Sequence, residues 1–165
     1  MRDARPRDAR DLVRLLDAVA AEPRSGLLLE PGQRSAGDWR RIIAAGVVES
    51  RALFLVADVD GHLAGDLSLR PVANPASPHV CVVGMSIAAG VRDVGLGGAL
   101  LELSLGWAAA MGYLKATLSV LGHNEGAVRF YERHGFGHEG RRVAQFIRGG
   151  QYSDEVLMAR VLTTP

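Results

Sequence analysis

The sequence predicts one α/β domain built on a mixed β-sheet, and three observations lead there. The 165 residues amount to about one domain, long enough to bury a sizeable core. Apolar residues make up 48% of the chain and fall into helical and strand-like patterns in the order helix, helix, three strands, helix, strand, helix, two strands. No internal repeat, low-complexity tract or linker breaks that order, so residues 1–165 read as a single domain.

Pro6 to Glu22 predicts an amphipathic helix, with Leu12, Leu15, Leu16 and Val19 on one face and Pro23 and Gly26 as its stop. Leu27 to Arg34, with Pro31 and Gly32, is irregular. Ser35 followed by Asp38 is a capping-box pattern, opening a helix from Ala36 to Val48 with Trp39, Ile42 and Ile43 on its apolar side. Ala52 to Ala57 and His62 to Pro71 flank Asp60-Gly61, a hairpin turn signal. After the loop marked by Asn74-Pro75 and Pro78, Val80 to Ile87 is apolar enough for a central strand. A helix runs from Gly98 to Met111 and ends at Gly112. Leu114 to Val120 alternates as a strand, Asn124 to His134 is a helix closed by Gly135, and Arg142 to Ile147 with Val156 to Leu162 makes a last hairpin around Gly149-Gly150.

Composition narrows the function. Nineteen basic and eighteen acidic residues leave a net charge of +1, without the basic excess of a nucleic-acid binder. No window reaches ~18 consecutive apolar residues, which argues against a membrane span. Met1 is followed by Arg2, Asp3, Ala4 and Arg5, which is not a secretory apolar segment. Cys81 is the one cysteine; it cannot form an internal disulfide and fits a reducing cytoplasm.

Gly95, Gly97 and Gly98 lie between an apolar strand and a helix N-terminus. Glycines there let the backbone approach a ligand, and the helix start adds unpaired N–H donors and a positive dipole end, which suits phosphate or pyrophosphate. A tight strand-to-helix turn explains the same glycines. There is no Gly-Lys-Ser/Thr ending, so this is not a P-loop, and the spacing is not that of a dinucleotide fold. What remains is Arg92-x-x-Gly95-x-Gly97 after the strand, followed downstream by Asn124 to Phe136, which matches N-x-x-A-x-x-x-Y-x-x-x-G-F.

With these two motifs the chain resembles the GNAT superfamily of acetyl-coenzyme A-dependent N-acetyltransferases over nearly its whole length. The resemblance implies a central, mostly antiparallel sheet with one splayed strand pair and flanking helices. It implies acetyl-coenzyme A as cosubstrate and no metal. Met85, Ser86 and Ile87 would run along the pantetheine arm, with the Met85 N–H steadying the oxyanion. Arg92, Asp93, Val94, Gly95, Leu96, Gly97 and Gly98 would cradle the pyrophosphate. Asn124 would hydrogen-bond the cofactor arm, or simply cap its helix. Tyr131 resembles the general acid that protonates the departing thiolate, and a phenol keeps its proton at neutral pH. Arg129 and Arg133 read as a solvated helix face, with the nucleotide 3′-phosphate as the functional alternative.

The general base departs from the familiar patterns. The position five before Asn124, where some relatives place a glutamate, is Ser119, and Val80 to Ile87 contains no acid. Glu30, Asp38, Asp66 and His123 are candidates, and deprotonation through water is open. The resemblance places the acceptor against Ser25 to Trp39, with Leu27, Leu28, Leu29, Glu30 and Trp39 as contacts or equally as lid packing, and against the hairpin, where Asp66 and Ser68 alternate. His134 and His138 have metal-like spacing, but glycines interrupt the helical face that such a site needs. The expected function is acetyl transfer to a primary amine of a small molecule or peptide, with a non-catalytic acetyl-coenzyme A-binding module as the alternative. The resemblance also implies a homodimer paired through the last strands, here Arg142 to Ile147 and Val156 to Leu162.

Overall fold

The computed structural model describes residues 1–23, 25–48, 51–148 and 150–162. Its elements are β1 (Arg2–Asp3), α1 (Ala9–Ala20), α2 (Ala36–Val48), β2 (Leu53–Val59), β3 (His62–Pro71), β4 (Val80–Ile87), α3 (Leu96–Ala110), β5 (Lys115–Leu121), α4 (Glu125–Arg133), β6 (Gly137–Arg148) and β7 (Gln151–Val161). The strands form one seven-stranded sheet in the order β1-β2-β3-β4-β5-β7-β6. Every neighbouring pair is antiparallel except β4 with β5, which is parallel.

Strand side chains alternate between the faces, and each face has its own core. On one, Leu55, Leu67, Leu69, Val83 and Leu118 pack with Leu100, Leu101 and Leu105 of α3 and with Tyr131 and Phe136. On the other, Val56 packs with Leu12, Leu15 and Leu16 of α1 and with Trp39 and Ile43 of α2. The α1 periodicity therefore becomes a buried stripe. Its helix proper starts after a 3-10 turn at Pro6–Asp8, where Asp8 accepts from the Arg5 N–H at 2.7 Å.

Several local signals take their expected form. The Ser35 N–H donates to Asp38 Oδ2 at 2.9 Å and the Asp38 N–H to Ser35 Oγ at 3.2 Å, a reciprocal cap. Asp60 (φ 51°) and Gly61 (φ 82°) both occupy the left-handed region, as a two-residue hairpin turn requires. Other boundaries differ. The helix expected from Gly98 begins at Leu96, because left-handed Gly95 is its cap. β1 was not expected; two residues are too few for periodicity to show. The last hairpin is longer than expected, spanning Gly137–Arg148 and Gln151–Val161. β6 is an exposed edge strand with two register shifts, which erase its alternation. At its tip Gly150 has φ 79°, and Gly149 lies outside the described residues.

The feature that positions the site is a gap in the sheet. β4 and β5 pair only at Val80↔Lys115, Cys81↔Ala116 and Val82↔Thr117. Beyond Val82 the two strands part.

Candidate active site

The gap leaves backbone groups of β4 open in a predictable pattern. Val72 donates to the Val80 carbonyl at 3.1 Å and Ala88 to the Ala64 carbonyl at 2.9 Å. In an antiparallel ladder, hydrogen-bonded and non-bonded pairs alternate, so even-numbered β4 residues turn their peptide groups toward β3. Val83, Met85 and Ile87 therefore turn theirs toward the gap. By the same alternation, Leu162 donating to Leu114 at 2.8 Å and Gly122 to Asp154 at 2.8 Å turn the Ser119 and Leu121 peptides into the gap from β5. The Ile87 carbonyl accepts from Arg92 Nε at 3.0 Å, and the Leu121 carbonyl from the Asn124 N–H at 2.8 Å.

A cleft of about 770 Å³ opens here, between the parted strands and under the segment after α1. Of the expected cofactor-side residues it is lined by Met85, Ser86, Ile87, Arg92, Asp93, Gly95, Gly97, Gly98, Asn124 and Tyr131. Val94 points outward, 73% exposed, and Leu96 packs toward the core; neither lines the cleft.

The glycine segment has the geometry of an anion cradle. Asp93 (φ 63°) and Gly95 (φ 87°) both lie in the left-handed region, a backbone state that recurs in anion-binding turns. Gly95 caps α3 without any side-chain hydrogen bond to the helix start, leaving the first N–H donors of α3 for a ligand. Gly98 is closely packed: a Cβ there would lie 2.9 Å from His134 Nε2, so the imidazole or the backbone would have to shift. His134 in turn holds the Phe130 carbonyl with Nδ1 at 2.8 Å and packs on the Phe130 ring, 4.4 Å between centroids. Open strand edge, cradle and uncapped helix start together fit the arm and pyrophosphate of a coenzyme A thioester.

Tyr131 is buried between Phe130 and Phe136, both edge-on at 5.1 and 5.5 Å. Burial, with a contribution from the Asp66 carboxylate, pushes its phenol up to about 12. Asn124 Oδ1 caps α4 through the Ala127 N–H at 3.2 Å. Its amide nitrogen fills the space beside Gly26, where any Cβ would collide with it. Arg92 is not free to meet a phosphate: both terminal nitrogens bind Glu22, at 2.8 and 2.7 Å. Arg129 is paired with Glu125 along the helix, whereas Arg133 lines the cleft.

Most acceptor-side candidates lie elsewhere than expected. Leu29 packs into the core between α1 and α2, and Trp39 is buried there against Phe54, with Arg34 over its ring at 5.2 Å. Glu30 is exposed and pairs with Arg148 at 3.0 Å. Ser68 is half-buried on β3 and Asp66 is buried; neither lines the cleft. Leu29 and Trp39 are drawn into the core between α1, α2 and the sheet, whereas Glu30 stays at the surface. From the expected acceptor segment, Leu27 and Leu28 do line the cleft, together with Gly26 and Phe146. Arg148 donates to the Leu27 carbonyl at 2.5 Å, tying this segment to the last hairpin. Phe146 had no signal in the sequence. Among the other base candidates, Asp38 is engaged by Ser35 and Arg41, and His123 bridges Ser153 Oγ at 3.3 Å and the Ser25 carbonyl at 3.4 Å.

A sheet opened between parallel strands beside a glycine cradle defines a fold of coenzyme A-dependent acyltransferases. The acetyltransferase (GNAT) family model matches residues 16–136; the chain belongs to this family and is an acyltransferase. The L-amino acid N-acetyltransferase AaaT of Escherichia coli is 30% identical over 111 residues, covering 65% of this chain and 67% of that protein. A GNAT-family acetyltransferase of Streptococcus pneumoniae superposes with TM-score 0.89 at 25% identity over 98% of both chains. A phosphinothricin acetyltransferase of Sinorhizobium meliloti in complex with acetyl-coenzyme A shares the fold, with TM-score 0.87 at 19% identity over 98% of this chain and 86% of its own.

Proposed function

We propose that the protein moves an acetyl group from acetyl-coenzyme A directly to the primary amine of a small molecule or peptide. The observation that carries this reading is the gap between β4 and β5, where the unpaired Met85 peptide and the Tyr131 phenol line one cleft. Bound there, acetyl-coenzyme A supplies a thioester-activated acetyl group. The Met85 N–H, turned away from β3, is available as a preorganised donor where negative charge gathers on oxygen. Tyr131 keeps its proton at neutral pH and is the donor for the departing sulfur, a role worth roughly 10²–10⁴ in rate. Asp93 to Gly98 supplies backbone donors for the pyrophosphate without a basic surface, in keeping with the net charge of +1.

On the acceptor side Leu27, Leu28 and Phe146 present apolar surface beside polar Ser119. That supports an amine carried on a small apolar body, and the relative named for L-amino acids makes amino-acid-like amines the first class to try. Exposed Val143, Ile147 and Tyr152 on the last hairpin support pairing of two copies, which sedimentation would test. The test of function is an amine panel with acetyl-coenzyme A, read by mass and by coenzyme A release. One acetyl group gained on one amine is the expected result. Tight acetyl-coenzyme A binding with no release for any amine would overturn catalysis.

A further inference from the structure

Direct attack needs a neutral amine that sheds a proton as the new bond forms. The carboxylates lining the cleft are Glu22 and Asp93. Glu22 is held by both arms of Arg92, and Asp93 sits in the cradle. Glu30, Asp38 and His123 are engaged elsewhere, as described above.

Asp66 is different. It is 6% exposed, and its Oδ1 is the one buried side-chain polar atom among the described residues without a hydrogen-bond partner. Native proteins leave few such atoms, because each carries a desolvation cost. Asp66 pairs in register with Ser86, in the half of the ladder that is hydrogen-bonded. Directly opposed residues project their side chains from the same face, so Ser86 and Asp66 are neighbours on it. Ser86 lines the cleft, one residue from Met85; Asp66 does not.

We propose that the Ser86 hydroxyl and the Asp66 carboxylate form a relay that takes the proton from the acceptor amine. The amine N–H bond breaks as its proton passes to Ser86 Oγ, and the Ser86 proton passes to Asp66. The nitrogen electron pair forms the C–N bond as the thioester C–S bond breaks and its electron pair leaves on sulfur, which takes the Tyr131 proton; Ser86 is restored, and Asp66 ends as the neutral acid, its proton returning to the phenolate through solvent. This rests on the acetyl-transfer reading above.

The electrostatics agree. Burial lifts the Asp66 carboxyl to about 7, with the Ser86 hydrogen bond partly opposing the rise. The charge on Asp66 in turn raises Tyr131 on α4. A base poised near neutrality beside an acid held protonated is the division of labour that acid–base chemistry needs. Among the described residues, burial and the Ser86 hydrogen bond alone set the Asp66 shift, with no contribution from a cation. Asp58 on β2 pairs with Arg2, Asp11 and Arg14 on α1 pair with each other, and Glu102 on α3 pairs with Arg160.

The experiment uses the best amine from the panel, with Asp66→Asn, Ser86→Ala and wild type compared for kcat/KM against pH and for acetyl-coenzyme A Kd by calorimetry. Wild type is expected to show a rising limb centred near pH 7. In Asp66→Asn that limb disappears and turnover falls by ~10²-fold or more, while Kd stays within about twofold. Ser86→Ala loses roughly tenfold and its limb moves to higher pH, since the hydrogen bond that lowers Asp66 is gone. Phenol absorbance gives a readout independent of the acceptor: the Tyr131 titration falls in Asp66→Asn. Asp66→Asn with wild-type turnover and limb would overturn the relay while leaving acetyl transfer standing. So would parallel loss of Kd and turnover, the mark of a structural role. A wild type that acetylates no amine overturns both.

Discussion

Asp66 also makes a prediction about stability that requires no acceptor. Its carboxyl is lifted from the ordinary 3.8 to about 7 in the folded protein. Between those values the native state holds a proton that the unfolded chain has released, so stability falls as pH rises. Below about pH 4 both states are protonated and the penalty vanishes; above about pH 8 it is fully present. A rise of about three units corresponds to ~4 kcal/mol at most, of which ~3 kcal/mol accrues between pH 5 and pH 8. Asp66→Asn keeps the shape and the unpartnered oxygen but never ionises. Urea unfolding of both proteins at pH 5, 6, 7 and 8 should therefore show the variant gaining on wild type by about 3 kcal/mol across the series. For a chain of this size that is roughly 6–12 °C in Tm. Asp8, Asp38 and Asp154 titrate low in the fold, through their hydrogen bonds to Arg2, to Ser35, and to the Ala144 N–H, respectively. They lose stability toward acid in both proteins and cancel in the difference. Parallel stability curves for the two proteins would refute the reasoning, because a carboxyl with an ordinary titration produces no widening.

Three further outcomes follow from the cleft. Tyr131→Phe removes only the phenolic oxygen, so turnover should fall ~10²-fold or more while acetyl-coenzyme A Kd by calorimetry is kept; unchanged turnover would remove Tyr131 as the proton donor. Gly98→Ala places a Cβ 2.9 Å from His134 Nε2. Either the imidazole leaves or the cradle widens, and acetyl-coenzyme A should bind about tenfold more weakly, equivalent to ~1.4 kcal/mol, with the far-ultraviolet spectrum unchanged. Glu22→Gln releases the Arg92 guanidinium beside the cradle, and removes a carboxylate from it. Coenzyme A should then bind several-fold more tightly, consistent with ~1 kcal/mol for a partly exposed ion pair, with a steeper dependence on salt; unaltered affinity would show that Arg92 plays no part in anion binding.

What could be read from the sequence divides along a physical line. Asp60-Gly61, Ser35 with Asp38, and the spacing of Gly95, Gly97 and Gly98 each specify backbone geometry through residues a few positions apart, and each takes that geometry in the fold. Side-chain roles were less legible because partners arrive from far along the chain. Arg92 sits in a glycine motif that suggests phosphate, yet it binds Glu22, 70 residues earlier. Glu30 is claimed by Arg148, 118 residues later. Leu29 and Trp39 look suited to a cleft because they are apolar, but apolarity is the force that draws them into the core with α1 and Val56. β6 hid most of its length because an edge strand exposed on both faces has no period to show. Asp66 joins the two sides of this division. Its register opposite Ser86 is backbone geometry, but its burial depends on how the sheet is covered, and the missing partner of Oδ1 is visible only in three dimensions. Asp66 is one of four base candidates in the sequence; strand pairing singles it out by setting it against Ser86 of β4, which lines the cleft. A search for a single acid on the strand beside the thioester would pass over that pair.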